Sequence, residues 1–335
     1  MLGPNRFLRT AWLFSATDRL EIPEHRISLR AISPGEAAQM AQLARARNVF
    51  SRHGSDDAFY LERIGKLAGA SVLESFYDGD IDAGMSAVKH KSALFEQMCL
   101  ISASFGLSRA RMQNLLSVSG HRRFGFDFAI GDGFAKLRSA ARKDAAPKGV
   151  PVTPAFARRF HRMGFADAFG VAVSTHPFAA RIQLALTWQA ESLLDSSRSA
   201  ALVKSAIALE SLLVANEQES LRGPISERAA YLLAGTPETR KRISRAMKKL
   251  YDFRSALVHG GRKKATVLPD SILDGADRIV ALLILGLAHN SERLTSFDAL
   301  TAWVDELKWG AATARSTVVF PQSHLTRTLN LLEGK

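Results

Sequence analysis

Cysteine is nearly absent from this chain. Cys99 is the only one in 335 residues, so neither an intrachain disulfide nor a cysteine-based zinc cluster can form. It falls in the apolar pattern Phe95, Met98, Cys99, Ile101 and reads as a small core residue. Long apolar runs are missing too. The longest, Ile279 to Ala288, has ten residues counting Gly286, about half of what a helix needs to cross a bilayer core. It predicts a buried helix and no membrane partner. The apolar stretch Ala11 to Ala16 is too brief for a secretory segment, so a cytoplasmic location is expected. There is no Walker loop and no Gly-x-Ser-x-Gly elbow, which removes the common NTPase and hydrolase classes. Gly131-Asp132-Gly133 lacks the spacing of a phosphate-cradling loop. Histidines show no His-x3-His pair with a nearby carboxylate, so no metal and no cofactor are expected.

Acidic residues are scarce relative to basic ones. Asp and Glu number 32 against 45 Lys and Arg, a formal net charge of +13. The surplus is concentrated. Between Thr236 and Lys264 ten basic residues face two acidic ones, Glu238 and Asp252, a local net of +8. A positive field of that density raises the local concentration of polyanions, so RNA or another nucleic acid is the partner class it suggests. Charge alone fits a solvated helix face equally well.

Content that is 47% hydrophobic and 23% charged is that of a folded chain, long enough for two ordinary domains. The expected fold is mainly α. A mostly helical N-terminal region with a few short strands, residues 1–150, precedes a connecting segment, 151–177. An antiparallel helical bundle, 178–292, and a C-terminal helix and tail, 293–335, follow. In the first region, Ser33, Pro34 and Glu36 have capping-box spacing and start a helix running toward Phe50. Helical patterns follow over Asp57 to Phe76, Ala83 to Ser104 and Ser108 to Val118. The glycines and prolines between Gly120 and Pro154 predict loops and a domain boundary. Phe169 to Thr175 reads as a strand. Beyond Phe178 the spacing predicts helices over Ile182–Leu194, Ser199–Val214 and Ser226–Leu233. A long basic helix opens at Pro237 and ends at Gly260-Gly261, and an almost wholly apolar one spans Ser271–His289.

The chemistry-bearing constellation lies in the basic helix, in the segment YDFRSALVHGG from Tyr251 to Gly261. Arg254 and His259 stand five positions apart, the Arg-x4-His form. Histidine can pass protons at neutral pH, to or from a ribose 2′-hydroxyl or a leaving oxygen. Arginine brings a permanent charge and a planar fork that matches phosphate oxygens. On a continuous helix the two positions lie about 140° apart, so convergence requires the helix to end at His259. Upstream, ALESLL from Ala208 to Leu213 carries Glu210, and Ile225 to Leu233 contains arginine and alanine.

These three pieces, in this order, resemble the Apea-like HEPN family over roughly 178–292. The resemblance implies an all-helical bundle and a metal-independent RNA endonuclease of bacterial defence or toxin type. It implies a homodimer in which two Arg-x4-His motifs meet. It assigns Arg254 to the phosphate and His259 to acid–base work, with Ser255 beside the arginine and Glu210 at an acidic position able to orient it. Arg245, Lys248, Lys249, Arg262, Lys263 and Lys264 are the expected RNA contacts. A non-catalytic RNA-binding or regulatory dimer using the same basic helix is the alternative.

Overall fold

The computed structural model describes residues 5–46, 62, 64, 67–78, 81–119, 123–131, 134–143, 146–215, 221–259, 268–310 and 320–334. The chain divides into two compact units. One comprises Met1–Glu96 with Asn114–Arg159, the other Gln97–Gln113 with Phe160–Lys335. Among the described residues it is mainly helical, with one six-stranded antiparallel sheet.

The first unit is built on that sheet. Its strands are β1 (Asn5–Thr10), β3 (Leu20–Ile22), β4 (Ile27–Ala31), β5 (Ser71–Tyr77), β7 (Arg123–Gly131) and β8 (Phe134–Lys143), in spatial order β3-β4-β5-β1-β7-β8. Smaller pairings join β2 (Phe14–Ala16) to β10 (Val150–Val152) and β6 (Val118–Ser119) to β9 (Ala146–Pro147). The period-2 geometry of strands splits their side chains between two faces. Leu8, Val72, Phe126 and Phe128 pack with Ala37, Met40 and Ala44 of α1 (Pro34–Ala46). Phe7, Tyr77 and Ala129 pack with Val88 of α2 (Ile81–Ala103). Ser33 caps α1 by accepting a hydrogen bond from the Glu36 backbone N–H at 3.2 Å, as the capping box predicts. Gly149 has φ +87°, and a Cβ there would lie 2.7 Å from the Phe14 carbonyl carbon, so only glycine lets β10 approach β2.

An alternating charge cluster ties these elements together. Arg30 of β4 reaches Glu74 of β5 and Glu36 of α1, each at 2.7 Å, and Arg6 of β1 also pairs with both carboxylates. Burial alone would raise the Glu74 carboxyl. The Arg30 hydrogen bond and the charges of Arg6 and Arg30 outweigh burial and draw it down to about 2.

The second unit is helical. Past the end of α2 it contains α3 (Arg109–Leu116), which runs on beyond its last residue Gln113, and then the end of α4 (Pro154–Arg162). There follow α5 (Phe165–Val173), α6 (Ala179–Leu194), α7 (Arg198–Leu213), α8 (Arg222–Leu233) and α9 (Pro237–His259). The chain closes with α10 (Asp270–His289), α11 (Phe297–Trp309) and α12 (Gln322–Glu333). Buried almost all round, α10 packs against α5, α6, α7, α8 and α12. A Cβ on Gly275 would come within 2.5 Å of the Leu332 side chain, which is how closely α12 approaches it. At its centre Arg109 donates to both carboxylate oxygens of Asp277 at 3.0 Å. Gln189 donates to the same carboxylate at 2.8 Å, and Ser192 and Ser205 meet at 2.9 Å. All five side chains are buried.

Several sequence expectations are corrected. Among the described residues of 1–150 strands take as large a part as helices: Ser71–Tyr77, the end of the helix expected over Asp57 to Phe76, is a buried strand. Most of the rest of that helix lies outside the described residues, as do the last residues of the run toward Phe50. Gly120 to Pro154, expected as loops, contains the β7–β8 hairpin, with Gly131 opposite Phe134. Phe169 to Thr175, expected as a strand, lies mainly in α5. Its buried residues Phe165, Ala166, Ala168, Phe169 and Ala172 follow a helical period, which outweighs the local β-branched composition.

A candidate nucleic-acid face on the basic helix

The long basic helix exists as α9, continuous from Pro237 to His259. Ile243, Met247, Leu250 and Tyr251 form its buried edge. At 100° per residue, positions 241, 245, 248, 252, 255 and 259 fall in one stripe on the opposite side. Lys241, Arg245, Lys248, Asp252 and Ser255 are all exposed there. Among the described residues Lys241, Arg245 and Lys248 have no ion-pair partner. Asp252, the lone acid of the stripe, is held by Arg222 of α8 through two contacts, at 2.8 and 2.9 Å.

Two other cations of α9 are engaged elsewhere. Arg242 is bidentate to Glu333, at 2.8 and 3.0 Å, and donates to Asn330 at 2.9 Å. Lys249, expected on RNA, points to the same helix and donates to the Leu332 carbonyl at 3.4 Å. Arg262, Lys263 and Lys264 lie outside the described residues.

Arg254 sits away from the stripe. Its Nη2 is 3.6 Å from Glu210 Oε1, with about a fifth of each side chain exposed. Its Nε is buried without a hydrogen-bond partner among the described residues. Tyr251 completes the group, donating toward Glu210 Oε1 and the Ala206 carbonyl at 3.4 Å each. Burial pushes the Glu210 carboxyl up, only partly opposed by the Arg254 charge and the Tyr251 hydrogen bond. Burial and the neighbouring Glu210 charge push the Tyr251 hydroxyl up as well, so it stays a protonated donor. The fold therefore brings Arg254 and Glu210 together. α9 ends at His259, the end point the sequence reading required; the two backbone positions lie about 140° apart on the helix, and the His259 side chain lies outside the described residues.

A groove of about 500 Å³ opens between α8 and α9. Tyr231 of α8 and Arg240, Lys241, Ser244 and Lys248 of α9 line it. Of these only Lys248 was named from the sequence as an RNA contact. The i, i+3, i+7 spacing of Lys241, Ser244 and Lys248 was the signal for a second polar face. Among the described residues no group of three or more His, Cys, Asp or Glu side chains could hold a metal ion. No helix among them is long and apolar enough to cross a membrane. Compared with protein-family models, curated proteins and solved structures, the chain finds no match in any of the three.

Proposed function

We propose that this chain binds RNA through the outer face of α9 and cleaves it without a metal ion, as its resemblance to the HEPN family implies. The observation that supports it is the row of cations, Lys241, Arg245 and Lys248, in a stripe whose one acid, Asp252, is already paired with Arg222. Such a row attracts the phosphate backbone by releasing its counterions. Cleavage is assigned to Arg254 and His259 on the strength of the YDFRSALVHGG segment. A base takes the proton of a ribose 2′-hydroxyl, and its oxygen bonds to the adjacent phosphorus. The bond to the 5′-oxygen breaks, leaving a cyclic phosphate and a protonated 5′-hydroxyl. Histidine can give or take either proton, and arginine stabilises the charge that builds on the phosphorus oxygens. The two positions lie about 140° apart along α9, and the resemblance implies a homodimer in which one chain's Arg254 works with its partner copy's motif.

The second reading, RNA binding without cleavage, is favoured by the Glu210 contact, which already occupies Arg254. The test compares wild type, Arg254→Ala and His259→Ala on mixed RNA and on a 2′-deoxy oligonucleotide, with and without EDTA. Cleavage that persists in EDTA, spares the 2′-deoxy strand and falls by about 10²- to 10⁴-fold in either variant supports the nuclease. Tight RNA binding with intact RNA in every arm supports the binding module alone. Cleavage by both variants at the wild-type rate removes the site assignment.

A further inference from the structure

The groove between α8 and α9 contains an arginine that is fixed before any ligand arrives. Arg240 donates from Nε to the Ala234 carbonyl at 3.0 Å, and its guanidinium carbon lies 4.5 Å from the centre of the Tyr231 ring. These two contacts hold the plane of the fork, so little side-chain freedom remains to be lost on binding. No carboxylate pairs with Arg240 among the described residues. Glu227, the one acid lining the groove, is ion-paired with Lys308 of α11. Lys241 and Lys248 are two helical turns apart, about 10.5 Å along the axis, with Ser244 between them. The groove thus offers a pinned planar cation, a phenol ring, a hydroxyl and two ammonium groups with no ion-pair partner among the described residues, within about 500 Å³.

A rigid duplex keeps its base faces stacked and presents phosphates and ribose hydroxyls to such a surface, whereas an unpaired strand can also turn a base onto a guanidinium or aromatic face. We infer that this groove seats a nucleotide of single-stranded RNA, with Arg240 as the stacking and phosphate anchor and Lys241 and Lys248 on the flanking phosphates. The inference rests on reading α9 as an RNA-facing helix, and it adds the strand state of the ligand and the place where a base is held.

The experiment measures affinity of the full chain by fluorescence anisotropy, using a labelled single-stranded RNA with 2′-O-methyl riboses and the same sequence as a duplex. The deciding variant is Arg240→Lys, which keeps the charge but removes the planar fork. A purely electrostatic surface would not register it. Expected is preference for the single strand and a loss of about tenfold in Arg240→Lys, the size of one base stack. Tyr231→Leu should lose a similar factor, and Tyr231→Phe should stay near wild type. Should either position prove necessary for folding, a 4-thiouridine strand photocrosslinked to wild-type protein should label a peptide spanning α8 or the first half of α9. Wild-type affinity in Arg240→Lys, equal binding of duplex and single strand, or crosslinks confined to other elements would overturn the inference. Displacement of the strand by micromolar uridine or adenosine monophosphate would also overturn it, assigning the groove to a free nucleotide. RNA cleavage with an unaffected Arg240→Lys would remove this inference alone. An affected Arg240→Lys in a protein that never cuts would remove only the nuclease.

Discussion

The charge cluster of the sheet unit and the outer face of α9 in the helical unit treat charge in opposite ways. In the sheet unit Arg6 and Arg30 meet Glu36 and Glu74, so two cations are matched by two carboxylates across β1, β4, β5 and α1. On the outer face of α9, Lys241, Arg245 and Lys248 have no ion-pair partner among the described residues, and the adjacent Asp252 is neutralised by Arg222. Matched charges cancel their own field and hold elements in register. Unmatched ones repel each other and weaken the helix slightly, a cost that makes sense when a polyanion supplies the missing charge. Arg109 and Asp277 take matching to its limit, with both side chains 2% exposed. Arg254 lies between the extremes, beside one weakly placed carboxylate.

The strongest way to break this contrast is in the bundle core. Arg109→Ala strips the buried Asp277 of its counter-charge and leaves it only the Gln189 hydrogen bond, and should cost about 3–5 kcal/mol in urea unfolding of the helical unit. Replacing both partners, Arg109→Met with Asp277→Leu, should recover most of that loss. A single substitution costing under about 1 kcal/mol would show that the pair does not hold the bundle.

Next in size is a pH effect in the sheet unit. Glu74 is drawn from an ordinary 4.5 to about 2. A carboxyl lowered by folding adds stability that is complete above its unfolded value and lost as pH falls from there toward the folded one. That contribution is about 3 kcal/mol, and Glu36, lowered by the same arginines against its burial, adds in the same direction. Stability measured between pH 5 and pH 2 should fall steeply in wild type. Glu74→Gln should flatten the fall, and an unchanged profile in that variant would detach the cluster from acid unfolding.

The smallest effect belongs to Glu210. Its carboxyl is raised by burial, so ionisation opposes folding above the raised value and that opposition fades as pH falls through it. Glu210→Gln should therefore change stability by less than about 1 kcal/mol in chemical denaturation. It should also strengthen RNA binding modestly by releasing Arg254. Weakened binding would instead make Glu210 a positioning residue for the arginine.

Helix boundaries were the most legible part of this fold. Ser33 with Glu36, Pro237 and the apolar run of α10 carry local signals that the packing did not override, and the observed ends fall at or beside them. The sheet was less legible because the glycines and basic residues of 120–154, typical of loops, interrupt a period-2 signal. Phe124, Phe126, Phe128 and Ile130 alternate along β7, and Asp132-Gly133 is a hairpin signature in the sequence. At the candidate site, Glu210 and Arg254 were named from sequence and lie together. Which cations of α9 face outward was not legible, because it depends on where α12 docks: Glu333, Asn330 and Leu332 claim Arg242 and Lys249. Arg240 gained its interest only from the Tyr231 ring and the Ala234 carbonyl, contacts between helices that no spacing encodes.

The central claim, that the unmatched stripe of α9 is an RNA surface, is tested most directly by salt. Affinity for a 2′-O-methyl single-stranded RNA is measured across a series of salt concentrations for wild type and for Lys241→Gln, Arg245→Gln and Lys248→Gln combined. Each phosphate contact on a single strand adds about 0.7 to the slope of log affinity against log salt, so loss of three should lower its magnitude by about 2. A triple variant that keeps the wild-type slope and affinity would contradict the claim.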